Sequence, residues 1–299
     1  MKTTGANGLI RCPLCGDEAS DLFQVPDWLE KRRLFDLKRC RGCELAFVHP
    51  IPSEIERLEW RGSESHYYGL VRTHREELRR GARELLDRLA EVRRPPGRLL
   101  DVGAGQGLLL AEAACRGWDA LGVESSPDAC RAMQEQRLTV VSGDFLDVEL
   151  PGRSFDVVLL QQVVEHSTSP RELVRRACEL LVPDGVLYVG TPNATGLLAR
   201  SLGRAFNYWI PPEHVFHYGP RSLRYLLEKN GFEVADLRTF FGDPPLANDL
   251  RDITRHHPWL RRLPHRIVRR ALEAVRPLLE RRGDGTILEV FARPVRHVR

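Results

Sequence analysis

LLDVGAGQGLLLAE, residues 99–112, reads as an apolar strand that runs through an acid and three closely spaced glycines into a helix. Gly103, Gly105 and Gly107 let the backbone turn sharply and bring its N–H groups close to a ligand. The spacing is G-x-G-x-G, not the G-x-G-x-x-G of dinucleotide folds. Asp101, just before the turn, has the wrong charge for cradling a pyrophosphate and the right one for an ammonium group. The N-terminus of the following helix can hold a carboxylate. An amino acid with a nucleoside attached fits this turn, and NAD fits poorly.

Outward from this stretch the chain alternates apolar runs with amphipathic ones, the pattern of a doubly wound α/β sheet. Strands are expected near 98–102, 119–124, 138–142, 155–161, 185–190, 232–240 and 286–294, with helices over 106–116, 127–136, 170–181 and 221–230. The second strand ends in Glu124, seventeen residues after Gly107, where an acid accepts hydrogen bonds from both hydroxyls of a ribose. The third ends in SGDFLD, where Asp144 can accept from an adenine amino group while Phe145 packs on the ring. An acid at one strand end is usually just solvated. Acids in this order on consecutive strand ends make a specific signal.

The motifs DVGAGQG (101–107), VE (123–124), GDF (143–145), FDVVLLQQVVEH (155–166) and LLVPDGVLYVGTPN (180–193) resemble those of class I S-adenosylmethionine-dependent methyltransferases. Similarity to the subgroup containing ubiquinone-biosynthesis O-methyltransferases and sugar methyltransferases extends through EHVFHYGPRSLRYLLEKNGFEV, 213–234. The resemblance implies a Rossmann-like, doubly wound, seven-stranded sheet with S-adenosylmethionine as cofactor. It also implies cofactor contacts from Asp101, Gly103, Gly105, Gly107, Glu124, Ser125, Asp144 and Phe145, with Gln161 lying against the same ligand.

Ahead of this region, Cys12 and Cys15 form one Cys-x2-Cys pair and Cys40 and Cys43 another, 24 residues apart. Two such knuckles complete a tetrahedral Zn²⁺ site, and Pro13, Gly16 and Gly42 supply the turn chemistry. Without the metal, some forty residues would hold too little apolar surface to fold. The expected organisation is a zinc ribbon at 1–50, a helical lid or linker at 51–96, the cofactor-binding domain at 97–242 with 285–299, and a basic helical insertion at 243–284. The ribbon and the Tyr67-Tyr68 segment resemble the front end of bacterial members acting on sugars or secondary metabolites. That likeness implies a small-molecule acceptor, covered by the ribbon and Tyr67-Tyr68; His217 is a further acceptor-side candidate for which a structural role stays open.

A hydroxyl acceptor must lose its proton, and a base with pKa near 7 assists by roughly 10²–10⁴-fold. Histidine is the natural choice. His214 occupies the position where the resembling subgroup has a histidine facing the acceptor. His166 follows the fourth strand, with Glu165 as its orienting partner, and a capping or core-anchoring role stays open for it. Related enzymes carry a Glu-x-x-Glu-His pattern that suits a divalent cation. Here the first carboxylate is replaced by Gln162, and an amide carbonyl binds Mg²⁺ far less well. No Asn/Asp-Pro-Pro-Tyr/Phe run follows the fourth strand, and no Pro-Cys follows TPN (191–193), which argues against amines of bases and pyrimidine C5 as targets.

Over 299 residues, 42% hydrophobic and 29% charged, the composition is that of a globular protein. No run approaches the roughly 18–20 apolar residues of a membrane span, and MKTTGANGLIRC lacks the apolar core of a secretory signal, so a cytoplasmic location is expected. The net charge of +4 is concentrated in 251–282, where ten arginines face Asp252, Glu273 and Glu280. Leu260, Leu263, Ile267, Ala271, Val275 and Leu278 fall there on helical spacing, and Pro264 and Pro277 are expected to limit the segment to short helices. Three readings stay open for it: a solvated basic face, contact with an anionic membrane surface, and a surface for an acidic or phosphorylated acceptor. An RNA methyltransferase with a nucleic-acid-binding ribbon is the rival reading. The nearly balanced charge of 12–43 speaks against it. A non-enzymatic protein-binding module is a third, opposed by the intact glycines and acids.

Overall fold

Strands buried on both faces read as unbroken apolar runs, and the chain builds its larger sheet from such runs. A computed structural model describes residues 9–27, 32–53, 56, 73–241 and 265–295. The smaller sheet has the order β1-β2-β3-β9, from β1 (Ala19–Pro26), β2 (Leu34–Cys40), β3 (Ala46–His49) and the two-residue β9 (Phe216–His217). The larger has the order β10-β11-β8-β7-β4-β5-β6. Its members are β4 (Gly97–Val102), β5 (Trp118–Glu124), β6 (Thr139–Ser142), β7 (Phe155–Gln161), β8 (Leu181–Pro192), β10 (Phe232–Phe240) and β11 (Ile287–Pro294). The helices are α1 (Arg75–Val92), α2 (Leu108–Cys115), α3 (Pro127–Glu135), α4 (Pro170–Leu180), α5 (Leu197–Leu202), α6 (Pro220–Glu228) and α7 (His265–Arg281).

All seven expected strands form, and the four expected helices begin and end within two residues of the sequence reading. β8 starts earlier than expected. Leu181 pairs with Phe155, the register then shifts, and regular pairing resumes at Val157 with Val186. Pro183 cannot donate a ladder hydrogen bond, so Pro-Asp-Gly reads as a turn although the strand passes through it.

β4 pairs in parallel with both β5 and β7, while β5 pairs with β6 and β7 with β8. The chain runs outward from β4 to β6, then returns to build β7 and β8 on the other side. That reversal is a topological switch point, and in open α/β sheets ligands bind outside the carboxyl ends of the strands there.

The described chain divides into two compact units. One comprises Met1–Gly62, Thr191–Tyr225 and Leu237–Glu289, and the other Ser63–Gly190, Leu226–Asp236 and Val290–Arg299. In the second unit, Leu85, Leu86 and Leu89 of α1 join Leu99, Ala113, Trp118, Val157, Leu159, Val186, Tyr188 and Phe291 in one apolar core. Arg79 and Arg83 donate to Glu112 of α2 at 3.1–3.2 Å, which fixes α1 against α2.

In the first unit, the inner face of the small sheet supplies Val25, Phe35, Leu37, Ala46 and Val48 to a core completed by Ala194, Leu198, Ala199, Leu202, Phe206, Trp209 and Phe241. Asn193 organises the chain around this core. Its Nδ2 donates to the carbonyls of Gly283 (2.9 Å) and Gly285 (2.8 Å), and its Oδ1 accepts from Thr195 N and Oγ1. The TPN motif thus ends in a structural clamp.

One expectation about the basic segment needs correction. α7 continues through Pro277 instead of stopping there. The last turn is secured by tertiary contacts: Arg276 Nε donates to Glu280 at 2.7 Å, and the Glu280 carbonyl accepts from Thr239 Oγ1 at 2.9 Å. Those bonds offset the one that proline removes. At the described end of this helix Val275 and Leu278 are exposed while Leu279 packs inward. Residues 243–264, Tyr67 and Tyr68 lie outside the described residues. No helix among the described residues is long and apolar enough to cross a membrane.

Candidate functional site

In the second unit, the carboxyl ends of β4, β5 and β6 bring together Asp101, the glycine turn, Glu124, Ser125, Asp144 and Phe145. The turn is held in shape by its own backbone. Gly103, Gly105 and Gly107 have φ of +67°, +54° and +75°, which side-chain-bearing residues adopt only at a cost. The N–H groups of Gly103 and Ala104 both donate to the Val123 carbonyl, at 2.8 and 3.2 Å. Gly107 has a second constraint. A Cβ there would lie 2.6 Å from Leu138 and 2.7 Å from Met133, so this glycine also lets the start of α2 approach its neighbours.

Asp101 is 3% exposed at the end of β4. Burial raises its carboxyl to about 7, and the nearby Glu124 charge adds to the shift. A desolvated carboxylate of this kind gains most from a bound cation. Glu124 has a backbone role that the sequence did not reveal. Its Oε2 accepts from Gly105 N and its Oε1 from Ser126 N, each at 2.8 Å. Each oxygen has a further lone pair for a ligand hydroxyl. The acid therefore fixes the turn while its remaining lone pairs stay open.

Asp144 Oδ1 accepts from Leu146 N at 2.8 Å, which orders the turn after β6. Phe145 is buried, with the Arg176 guanidinium 5.4 Å from its ring centroid, a cation–π contact absent from the sequence reading. Gln161 ends β7 opposite Gly190, and its Oε1 is buried with no hydrogen-bond partner among the described residues. A buried amide oxygen in that condition calls for a donor from a ligand or water.

The candidate bases fall in both units. Glu165 is buried and His166 half-buried in the tight turn after β7, where His166 N donates to the Val163 carbonyl at 3.0 Å. Gln162 heads this turn with φ +55°. His214 and His217 belong to the first unit and are both buried. His214 Nδ1 lies 3.0 Å from the Tyr208 carbonyl oxygen. A carbonyl can only accept, so Nδ1 carries the proton and Nε2 is the basic nitrogen of the neutral ring. His217 is packed edge-on against Trp209, with centroids 4.6 Å apart.

The two Cys-x2-Cys knuckles converge in the first unit, Cys12 and Cys15 before β1, Cys40 at the end of β2 and Cys43 just beyond it. Their four ligand atoms lie within 4.8 Å of one another, with Cys12 and Cys43 sulfurs 3.7 Å apart and Cys15 and Cys40 sulfurs 3.3 Å apart. Sulfurs around a tetrahedral zinc with bonds of about 2.3 Å sit about 3.8 Å from one another. Backbone N–H groups of Leu14 and Cys43 point at the sulfurs of Cys12 and Cys40, each at 3.4 Å. Sharing with Cys43 lowers the Cys12 thiol to about 6, and burial raises Cys15 to about 12. Four thiolates cannot coexist in this volume without a cation, so the donor set fits zinc.

A methyltransferase-domain family model matches residues 74–237. The chain is 30% identical over 165 residues to the ubiquinone biosynthesis O-methyltransferase of Azorhizobium caulinodans, covering 49% of this chain and 63% of that one. It is also 30% identical over 169 residues to the enzyme of that name from Xanthomonas campestris pv. campestris, covering 52% and 70%. The match to the first of these relatives spans less than two thirds of its length. Among solved structures, a SAM-dependent methyltransferase from Archaeoglobus fulgidus aligns with a TM-score of 0.52 at 22% identity, over 76% of this chain and 99% of that one. The Burkholderia thailandensis 1,6-didemethyltoxoflavin-N1-methyltransferase, with its substrate and S-adenosylhomocysteine bound, gives 0.53 at 17% identity, over 90% and 99%. The chain belongs to the methyltransferase-domain family, and its fold is that of the class I S-adenosylmethionine-dependent enzymes.

The Asp101 carboxyl gives the site a pH signature. Its folded-state pKa of about 7 lies above the ordinary 3.8, so its contribution to stability is fully present below the ordinary value and is lost as pH rises through about 7. Between about pH 5 and pH 8, the ligand-free protein should lose stability relative to Asp101→Asn in chemical denaturation. A constant difference between the two proteins across that range would contradict the assignment.

Proposed function

We propose that this chain transfers a methyl group from S-adenosylmethionine to a small-molecule acceptor, at a hydroxyl of a sugar, nucleotide-linked sugar or secondary metabolite. The observation that carries this reading is the desolvated Asp101 carboxylate beside a left-handed glycine turn, with Glu124 at the neighbouring strand end. The bound cofactor supplies a methyl group already activated on a sulfonium. Asp101 would hold its ammonium group, the start of α2 its carboxylate, and Glu124 its ribose hydroxyls. Asp144, Phe145 and Ser125 would flank the base, with Gln161 donor-hungry at the edge. The names of the O-methyltransferase relatives support oxygen as the acceptor atom.

For the proton, His214 is the base of choice, because its Nδ1–H is held by the Tyr208 carbonyl and its Nε2 is the basic nitrogen. His166, with Glu165 beside it in sequence, is the second candidate. Positioning and desolvation by the chain supply much of the remaining rate. Tyr67, Tyr68 and His217 stay proposed as acceptor-side residues. A structural zinc on Cys12, Cys15, Cys40 and Cys43 and a cytoplasmic location belong to the same reading, since the thiolates need reducing surroundings.

Calorimetry with S-adenosylhomocysteine should give binding to the wild-type chain, lost in Asp101→Ala. His214→Ala should keep that binding while transfer of labelled methyl to a panel of hydroxyl acceptors falls by about 10²-fold or more. Absence of any cofactor heat sinks the reading. Loss of cofactor binding in His214→Ala moves the base to His166.

Metal analysis should find one zinc per chain, lost in Cys40→Ser along with thermal stability. A fully stable, metal-free preparation would contradict the ribbon assignment.

A further inference from the structure

Arg39 stands where a core residue is expected. On β2 the residues Phe35 and Leu37 alternate inward to the apolar core of the first unit, and the period of two puts Arg39 on the same face. Its register partner on β3 is Ala46, itself in that core, and Ala46 pairs in turn with His217 on β9. Arg39, Ala46 and His217 therefore form one row across the inner face, two large polar side chains separated by a methyl group.

The guanidinium is poorly satisfied for its burial. Nη2 donates to the Ala194 carbonyl at 3.3 Å, and Nε is buried with no partner among the described residues. No carboxylate of the described residues lies within ion-pair distance. Glu44, the acid whose charge acts on it, is committed to Arg221 at 3.0 Å. A guanidinium carries five N–H donors in a fixed fork suited to planar or tetrahedral oxyanions. By contrast, Lys38, the next residue, is paired with Asp21.

We propose that Arg39 is an anion-recognition residue of the first unit, and that its guanidinium binds the carboxylate or phosphate group of a small acidic ligand.

The test uses the full chain, with thermal midpoints followed in potassium phosphate, in sodium benzoate and in chloride at matched ionic strength. The wild type should gain stability over chloride in at least one oxyanion arm, and the arm that gains more names the acidic group. Arg39→Gln should lose that gain, while calorimetric binding of S-adenosylhomocysteine is unchanged. A purely structural Arg39 would lower the midpoint equally in every buffer and leave the oxyanion increment intact, which overturns the proposal. No increment in either arm for the wild type overturns it as well. If Arg39→Gln does not fold, Arg39→Lys keeps the charge without the fork and should reduce the increment. An unchanged increment there counts against the proposal. Failure of cofactor binding in the wild type would fall on the methyl-transfer reading and not on Arg39.

Discussion

Burying a carboxylate costs several kcal/mol unless a cation or hydrogen-bond donors compensate, and Asp101 is almost wholly out of water at the end of β4. It is kept there by a strand with parallel neighbours on both sides and by a turn that side-chain-bearing residues could follow only at a cost. Glu124 reinforces the arrangement, because the carboxylate that raises the Asp101 pKa also fastens the turn through Gly105 N. Two acids at neighbouring strand ends repel each other until a positive group arrives.

The first unit is organised around a different constraint. Four sulfurs gathered within 4.8 Å of one another fix the ends of the β1–β2 hairpin, and β3 then pairs with Phe216–His217. This pairing joins the histidine segment to the ribbon sheet. His214, His217, Trp209 and Arg39 thereby belong to one body, with Asn193 tying the chain after β8 to residues 283–286.

Much of this was legible in the sequence, since buried parallel strands announce themselves as apolar runs and glycine turns as spacing. The knuckles were legible for the same local reason. What the sequence hid depends on distant contacts. β9 is two residues long and exists because β3 lies beside it. The helix α7 passes Pro277 because Arg276, Glu280 and Thr239 hold its last turn. The clamp made by Asn193 spans some ninety residues of chain, and the backbone role of Glu124 is invisible to any pattern. Arg39 did leave a trace. Alternation along LFDLKRC places an arginine in line with Phe35 and Leu37, a conflict between period and polarity that marks a half-buried charge.

The central claim is that Asp101 is kept desolvated to receive a cationic group at the switch point of the sheet. A crystal structure of the chain grown with S-adenosylhomocysteine tests it most directly. The ligand's amino group should lie within hydrogen-bond distance of the Asp101 carboxylate, with its ribose on Glu124. A ligand bound with its amino group turned away from Asp101 would contradict it.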